Sequence, residues 1–150
     1  MGRQDLILSN VNTYVHGFIV DSDEDVAMEQ DFEISLCEMR RLTHCGTVEV
    51  IVRYIGDRRF VIVHGVRSGE GKATALDEAN NIVLVNPVIV AGIRQYPEGY
   101  EIRSLKEDEV AHIKDNLGLM YIHDDGGRGG SNAYCLKNVG KRPVTKGDEQ

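Results

Sequence analysis

An aspartate and two asparagines stand together between two apolar segments in the stretch ATALDEANNIVLV, residues 73–85. Asp77 precedes Asn81 by four residues, and Asn80 lies beside Asn81. A carboxylate only accepts hydrogen bonds, whereas a carboxamide both donates and accepts them. The three side chains could therefore hold a polar ligand. They could also brace an ordinary hairpin, because Asp and Asn are frequent turn residues.

Three other groups of residues could carry chemistry, and the pattern of each is weaker. His123, Asp124 and Asp125 are residues that a metal site or a hydrolase could use, but adjacent residues seldom chelate one ion. The GGRGGSN stretch that follows lacks the Lys-Ser/Thr of a phosphate-binding loop. His44 and Cys45 would diverge by about 100° on a helix, which favours a structural cysteine. We predict no catalytic residue, no metal site and no cofactor.

Composition limits the chain to one packed domain. It has 150 residues, of which 41% are hydrophobic. It contains neither an apolar run of about 18 residues nor a basic-then-apolar amino terminus, so we expect no membrane span and no secretory signal. Three cysteines without a CxxC pair argue against a disulfide framework and favour reduced thiols, as in the cytosol or nucleus.

The net charge of −7 is concentrated near the amino terminus. Residues 1–33 hold eight acidic residues and one basic residue, and the remainder is neutral. We therefore predict an acidic extension at residues 1–30, a domain at 31–140 and a tail at 141–150. The extension is either simply solvated or a docking site for a basic partner. The neutral body could still present a local basic rim.

Hydrophobic periodicity predicts a mainly β chain with two short helices. Residues 31–46 are expected to form an amphipathic helix, with Asp31 as N-cap and Phe32 on the apolar face. Residues 48–54 alternate as a half-buried strand, which turns into a second strand to make a hairpin. The remaining predicted elements are strands in ATAL and NIVLVNPVIV joined by the DEAN turn, a charged helix in KEDEVAHIKDN, and strands in LGLMYIH and NAYCLKNV.

This order of elements, with the residues at two places, resembles the Sm and Sm-like (LSm) family of RNA-binding ring proteins. The first family motif is a strand, a glycine-containing turn, a long bent strand, and then Asp, a short turn and Asn followed by aliphatic residues. Residues 48–66 and 77–84 are similar to it. The second motif is an LGL-like strand, an Arg-Gly turn and a last strand, and residues 117–136 are similar to it. The resemblance covers roughly residues 31–140, with a long insertion at about 91–116.

The resemblance implies a strongly bent five-stranded antiparallel barrel of the Sm-like (SH3-like) class, with an amino-terminal α-helix. In the family, the fourth strand of one subunit pairs with the fifth strand of its neighbour. This pairing closes a hexameric or heptameric ring and leaves no free strand edge. The resemblance also implies that the chain binds single-stranded, U-rich RNA through Asp77, Asn80, Asn81, Arg128 and Gly129.

Within that site Asn81 would read a uracil edge, Asp77 would brace the turn, and Arg128 would stack on a base or contact phosphate. Ala79 stands where the family has an aromatic or other stacking side chain. The implied function is that of a non-catalytic subunit of a nuclear or cytoplasmic ribonucleoprotein, a heteroheptamer that acts in pre-mRNA splicing (an snRNP) or RNA decay. The alternative is a small β-rich structural or assembly protein, such as a virion accessory protein, with no RNA role.

Overall fold

The computed structural model describes residues 5–22, 24–66, 72–123 and 130–144. These residues form eleven strands and two helices, so the predicted mainly β class is confirmed. In chain order the elements are β1 (Tyr14–Asp21), β2 (Val26–Glu33), α1 (Leu36–Thr43), β3 (Val48–Ile55), β4 (Arg58–Gly65), β5 (Ala73–Leu76), β6 (Ile82–Val85), β7 (Val88–Tyr96), β8 (Gly99–Arg103), α2 (Glu107–Asp115), β9 (Leu117–His123), β10 (Gly130–Leu136) and β11 (Val139–Gly140).

The larger sheet has seven strands, and all its pairings are antiparallel. Its order is β11-β3-β4-β7-β1-β2, and β8 pairs with the later part of β7. The predicted hairpin is confirmed, because β3 and β4 pair along their whole length. Gly56 in its turn has a φ of 64°, a left-handed conformation that glycine adopts without a steric penalty.

The smaller sheet has the order β6-β5-β10-β9. β5 and β6 lie on either side of the DEAN turn, as predicted, and they pair antiparallel with an irregular register. The second predicted strand, NIVLVNPVIV, is however divided at Asn86-Pro87 between β6 and the start of β7, which belongs to the larger sheet. β9 and β10 pair antiparallel over seven residue pairs, from Leu117 with Leu136 to His123 with Gly130. One parallel pair, Ala75 with Leu136, joins these two hairpins.

The two sheets pack face to face around the main core. This core cluster includes Phe18, Phe60, Ile62 and Val90 of the larger sheet, Leu84 and Leu136 of the smaller sheet, and Ile113 of α2. The opposite face of the larger sheet carries a second cluster, to which α1 contributes Met39 and Leu42 and β8 contributes Tyr100. Burying a large apolar side chain in either cluster stabilises the fold by roughly 1.5–3 kcal/mol.

The central strands contain continuous apolar segments because both faces of the larger sheet are covered there. In β4, Phe60 and Ile62 point into the cluster between the sheets, and Val61 and Val63 point into the cluster beneath α1. All four side chains are fully buried. The sequence FVIV therefore follows from a strand that has no solvent-facing side.

Helix α1 begins four residues later than expected. The Ser35 hydroxyl accepts the N–H of Glu38 at 3.2 Å and caps the helix, which ends at His44 with a φ of 55°. Asp31 and Phe32, expected in this helix, lie in β2, where Phe32 is fully buried. The predicted helix start was wrong because an apolar residue at position 32 fits both a helical and an alternating pattern.

The acidic amino-terminal segment is part of the larger sheet and not a separate extension. β1 pairs with β2 on one side and with β7 on the other. Phe18 and Val20 in β1 are fully buried. The expected domain boundary at residue 30 falls inside β2, the outermost strand of this sheet in the described residues. Charge density concealed β2, because its acidic side chains alternate with core-facing ones.

The described residues do not close into a barrel. Residues 117–122 and 132–136 were expected at opposite free edges, but they pair with each other in the β9–β10 hairpin. The expected insertion at about 91–116 supplies the end of β7, all of β8 and α2. The predicted charged helix is confirmed as α2, and its Glu109 forms a two-pronged ion pair with Arg103 at 2.8 and 2.9 Å.

Candidate ligand-binding cleft

Asp77 holds together the turn between β5 and β6. Its Oδ1 accepts the backbone N–H groups of Ala79 and Asn81, both at 2.9 Å. The backbone closes the turn with a hydrogen bond from the Asp77 N–H to the Asn81 carbonyl at 2.9 Å. The N–H groups of Asn81 and Ala79 lower the pKa of the Asp77 carboxyl. The predicted bracing role of Asp77 is therefore confirmed.

The two asparagines of the turn are exposed. Asn80 has a φ of 65°, a left-handed conformation that asparagine tolerates better than most residues. The Asn81 Nδ2 lies 3.4 Å from Asp77 Oδ2, at the long limit for a hydrogen bond. The carboxamide of Asn81 thus retains hydrogen-bonding capacity towards a ligand.

The other two predicted site residues, Arg128 and Gly129, lie outside the described residues. The strands on either side of them, β9 and β10, belong to the smaller sheet together with β5 and β6. β10 runs parallel to β5, and its last residue, Leu136, pairs with Ala75 beside the DEAN turn, whereas residues 128–129 precede its first residue, Gly130. Because a strand rises about 3.3 Å per residue, Gly130 lies roughly 20 Å along β10 from Leu136. The described strands therefore do not bring the two predicted turns together, and the structure describes the geometry of the first turn only.

The DEAN turn borders a cleft with a volume of about 650 Å³ between β3 and β6. Its apolar lining includes Ile51 of β3, Val83 and Leu84 of β6, and Val139 of β11. Asp77, Glu78 and Ala79 of the turn line the same cleft. A cavity of this size is within the usual range for small-ligand sites. Asn80 and Asn81 are not among its lining residues.

Three cations line the cleft: Arg53 of β3, and Lys141 and Arg142 after β11. None of them forms an ion pair with another residue in the described ranges. The Arg53 guanidinium donates to the Val52 carbonyl at 2.8 Å, and its remaining donors are available to a ligand. An anion in this cleft would meet three basic side chains that form no described ion pair, together with the carboxylates of Glu49, Asp77 and Glu78, which line the same cleft.

The fourth basic side chain of the cleft is already engaged. His64 Nε2 lies 3.0 Å from Glu49 Oε1, and its Nδ1 lies 3.3 Å from the Gly65 carbonyl. Glu49 and His64 are direct cross-strand partners in β3 and β4. Both ring nitrogens face acceptor oxygens of the hairpin, so the imidazole is held as a cross-strand partner of Glu49.

A second groove, of about 370 Å³, follows the outer edge of β3. It shares Ile51, Arg53 and Lys141 with the cleft and adds Arg59. β11 pairs only with Tyr54 and Ile55, so residues 48–53 have no strand on their outer side in the described part of the chain. The cleft and groove thus surround an unpaired strand edge that carries positive charge.

The three cleft cations were not singled out from the sequence. Lys141 and Arg142 fell in the expected tail, whereas the backbone continues into the cleft as far as Val144, whose N–H donates to the Gly56 carbonyl at 2.7 Å. The alternation of residues 48–54 predicts a half-buried strand with Arg53 on its polar face. This alternation is the one sequence signal that could have identified Arg53 as a cleft residue. The long-range pairing of β11 with β3, which brings Lys141 to the cleft, has no local signature.

Other predicted chemistry receives no additional support from the described residues. They contain no group of three His, Cys, Asp or Glu residues placed to hold a metal ion. His123 ends β9, and Asp124 and Asp125 lie outside the described ranges. Cys45 donates its thiol to the Val66 carbonyl at 3.4 Å, in keeping with the expected structural cysteine. Neither described helix has the length and apolar character needed to cross a membrane.

No family model matches this sequence, and comparisons with curated proteins and with solved structures found no match.

Proposed function

We propose that the chain binds single-stranded, U-rich RNA in the cleft between β3 and the DEAN turn, as a non-catalytic subunit of a ribonucleoprotein. The observation that carries this proposal is the position of the braced Asp77 turn on the same cleft as Arg53, Lys141 and Arg142. This arrangement combines a polar turn, an apolar lining and unpaired positive charge. Those are the features that hold a base and its phosphate.

Each part of a nucleotide finds a chemical partner in this cleft. The base would lie against the aliphatic side chains of Ile51, Val83 and Leu84. The guanidinium groups of Arg53 and Arg142 would contact phosphate, for which a planar fork of donors is well suited. The carboxamide of Asn81, next to the cleft, would donate to and accept from the uracil edge.

The Sm-like ring remains our proposal for the assembly, and it rests on the two sequence motifs. In the described residues, β6 and β9 are the outermost strands of the smaller sheet. Both carry exposed apolar side chains, Ile82 at 60% and Leu119 at 59%. Free strand edges of this kind are suited to pairing with other subunits. A native complex with the mass of six or seven chains, isolated with related subunits and RNA, would support the ring, and a monomer under those conditions would exclude it.

Fluorescence anisotropy with a labelled ten-residue oligo-uridine tests the RNA site directly. Arg53→Gln should weaken binding and reduce the salt dependence of the affinity by about one phosphate contact, because one counterion-releasing cation is lost. The matched control is Arg58→Gln, because Arg58 is already paired with Asp108 at 2.9 Å. Asn81→Ala should weaken oligo-uridine binding more than oligo-adenosine binding.

Equal affinity of the wild-type chain and the Arg53→Gln variant would remove the cleft from the RNA site. Absence of RNA binding by a correctly folded wild-type chain would favour the alternative function. In that case the exposed edges of β6 and β9 would serve a structural or assembly role without RNA.

A further inference from the structure

The two ends of the larger sheet carry opposite charges. At one end, β2 pairs only with β1 and carries Glu29, Asp31 and Glu33. At the other end, residues 48–53 of β3 have no outer strand in the described chain, and Arg53 and Lys141 line the groove along them. One sheet therefore ends in an acidic edge and in a basic edge.

The opposite charges stand on the same face of the sheet. Ala27 packs against the cluster between the two sheets, so Glu29, Asp31 and Glu33, at alternate positions after it, share that face. Ile51 packs against the same cluster, and Arg53, two residues later, shares its face and lines the cleft. Glu49, two residues earlier, shares this face as well, and its carboxylate is paired with His64 at 3.0 Å. If the sheet of one copy continued into the sheet of another, the acidic side chains of β2 from one copy would lie on the same face as Arg53 of the other.

The strand directions permit such a continuation. Four antiparallel pairings separate β3 from β2, through β4, β7 and β1, so β2 and β3 run in the same direction. A second copy placed head to tail would add its β2 beside β3 as a parallel strand, with both core faces aligned. The added strand would also cover the partly buried Val48, Val50 and Val52 on the other face of β3.

The acidic edge cannot satisfy the basic edge of the same chain. Four strand spacings of about 4.8 Å place β2 roughly 19 Å from β3 within one sheet. This separation exceeds the Debye length of about 8 Å at physiological ionic strength, so the two edges are screened from each other. Among the described residues of one chain, no acidic strand can reach this edge, so such a strand would come from another molecule.

Part of the negative charge of β2 is already compensated. His16 contacts Glu29 at 2.7 Å through Nε2 and Asp31 at 2.5 Å through Nδ1, and Lys114 lies 3.7 Å from Glu29. Glu33 has no ion pair in the described residues and accepts the Ser35 hydroxyl at 3.0 Å. When His16 is neutral, this edge retains a net negative charge.

We propose that a second copy of this chain docks its acidic strand β2 on the unpaired edge of β3, with Glu29, Asp31 and Glu33 beside Arg53, Lys141 and Arg142. The contact goes beyond the proposed function and differs from the ring contact, which would use the smaller sheet. It is heterologous, so each copy offers both a donor and an acceptor edge. Because it uses the cleft cations, it would compete with RNA for the same surface.

A second copy fits this edge better than an unrelated acidic peptide. β2 is an existing strand with a free backbone edge, so it pays no ordering entropy on pairing, whereas a disordered peptide must first be fixed in an extended conformation. β2 also supplies acidic residues at alternate positions, which is the spacing needed on one face of a sheet.

Charge reversal in matched pairs tests the contact. One variant is Arg53→Glu with Lys141→Glu, which makes the β3 edge acidic. The other is Glu29→Lys with Asp31→Lys, which makes the β2 edge basic. Each variant, immobilised and tested against itself at 50 mM salt, should bind its own copies at least about tenfold more weakly than wild type, because like charges then face each other. The two variants mixed should bind each other at the wild-type level, because both contacts are again complementary.

Two control variants separate charge from incidental structural effects. His16→Gln breaks the contacts of the histidine with Glu29 and Asp31 but leaves the acids in place, so it should retain wild-type association. Arg58→Glu reverses a cation in the same hairpin that is paired with Asp108, and it should also retain association. Circular dichroism confirms that each variant is folded.

Equal self-association of all variants, or failure of the mixture to recover it, would overturn the proposed contact. Addition of ten-residue oligo-uridine then distinguishes this proposal from the proposed function. Recovery in the mixture together with release of wild-type copies by RNA supports both. Recovery without release supports the strand contact and counts against an RNA site in the cleft.

Discussion

Replacing Gly92 with alanine should destabilise the fold by displacing Arg103. A Cβ at position 92 would lie 2.3 Å from the Arg103 Nη1 and 2.9 Å from the Ser104 carbonyl oxygen. Both distances are shorter than ordinary van der Waals contacts, and the backbone oxygen of Ser104 cannot rotate away. The guanidinium must therefore leave its position, and with it the two hydrogen bonds to Glu109 at 2.8 and 2.9 Å.

The expected loss follows from the burial of the ion pair. The side chains of Arg103 and Glu109 are 19% and 11% exposed, and Glu109 also accepts the Lys106 N–H at 2.9 Å at the start of α2. Breaking such a pair should cost about 2–4 kcal/mol, between the values for a charged hydrogen bond and for a buried ion pair. Alanine is intrinsically better than glycine in a strand by roughly 0.5–1 kcal/mol. The net loss should be about 1–3.5 kcal/mol.

Urea unfolding followed by circular dichroism, in a double-mutant cycle with Glu109→Gln, measures this effect. If Gly92→Ala acts through the ion pair, Glu109→Gln should cost much less in the Gly92→Ala background than alone, with a coupling energy of about 1–3 kcal/mol. Additive losses would refute the reasoning. Gly46→Ala is the matched control, because an added Cβ there meets nothing within 4 Å.

Three further outcomes follow from local contacts. Hydrogen bonds to Glu29 and Asp31 raise the pKa of His16 above its ordinary 6.5, so its stabilising contribution is complete below pH 6.5 and is lost as pH rises through the raised pKa. As pH rises from 6.5 through the raised pKa of His16, the urea midpoint should therefore fall more for the wild-type chain than for the His16→Gln variant. Gly56→Ala should lower the free energy of unfolding by about 1–2 kcal/mol, because alanine is strained in the left-handed conformation. Urea unfolding measures this loss, and a smaller loss would mean that the turn rearranges. Thiol-specific alkylation with mass detection should modify the exposed Cys37 in the native chain. Cys135 is buried, and burial raises the pKa of its thiol, so it should react only after unfolding. Equal alkylation rates of the two cysteines in the native chain would contradict this burial.

Local patterns predicted those elements whose partners are close in sequence. The β3–β4 hairpin, the strands around the DEAN turn, the helix α2 and the individual strands β9 and β10 all have turn or period signals within about 20 residues. Bracing of the turn by Asp77 was predicted for the same reason, since all its partners lie within four residues of it. A sequence pattern distinguishes a helix from a strand or a turn when the residues that decide between them lie within a short segment.

Long-range pairing decided the elements that sequence did not predict. The stretch LILSNVNTYVHGFIV is rich in β-branched and aromatic residues and indicates one or two strands, but their place in the sheet depends on β7, some seventy residues away. The strands expected at the two edges of a barrel pair with each other because their seven residue pairs satisfy both backbones within one hairpin. Lys141 reaches the cleft through the pairing of Val139 with Ile55, which no local signal encodes. The resemblance supplied a topology for such contacts, and the described sheets differ from it.

The acidic composition of the chain also has a different meaning once the sheet order is known. A net charge of −7 argues against an anionic ligand only if the acidic residues lie close enough to the ligand to repel it. Here the acids of β2 stand at the far end of the sheet from Arg53, at roughly twice the Debye length in physiological salt. An anion entering the cleft is therefore affected mainly by the charges of the cleft itself, the cations Arg53, Lys141 and Arg142 and the carboxylates of Glu49, Asp77 and Glu78. At about 0.01 M salt the Debye length reaches roughly 30 Å, and the acids of β2 would then oppose its approach. The placement of charge within the sheet, and not its sum, determines what this cleft can attract.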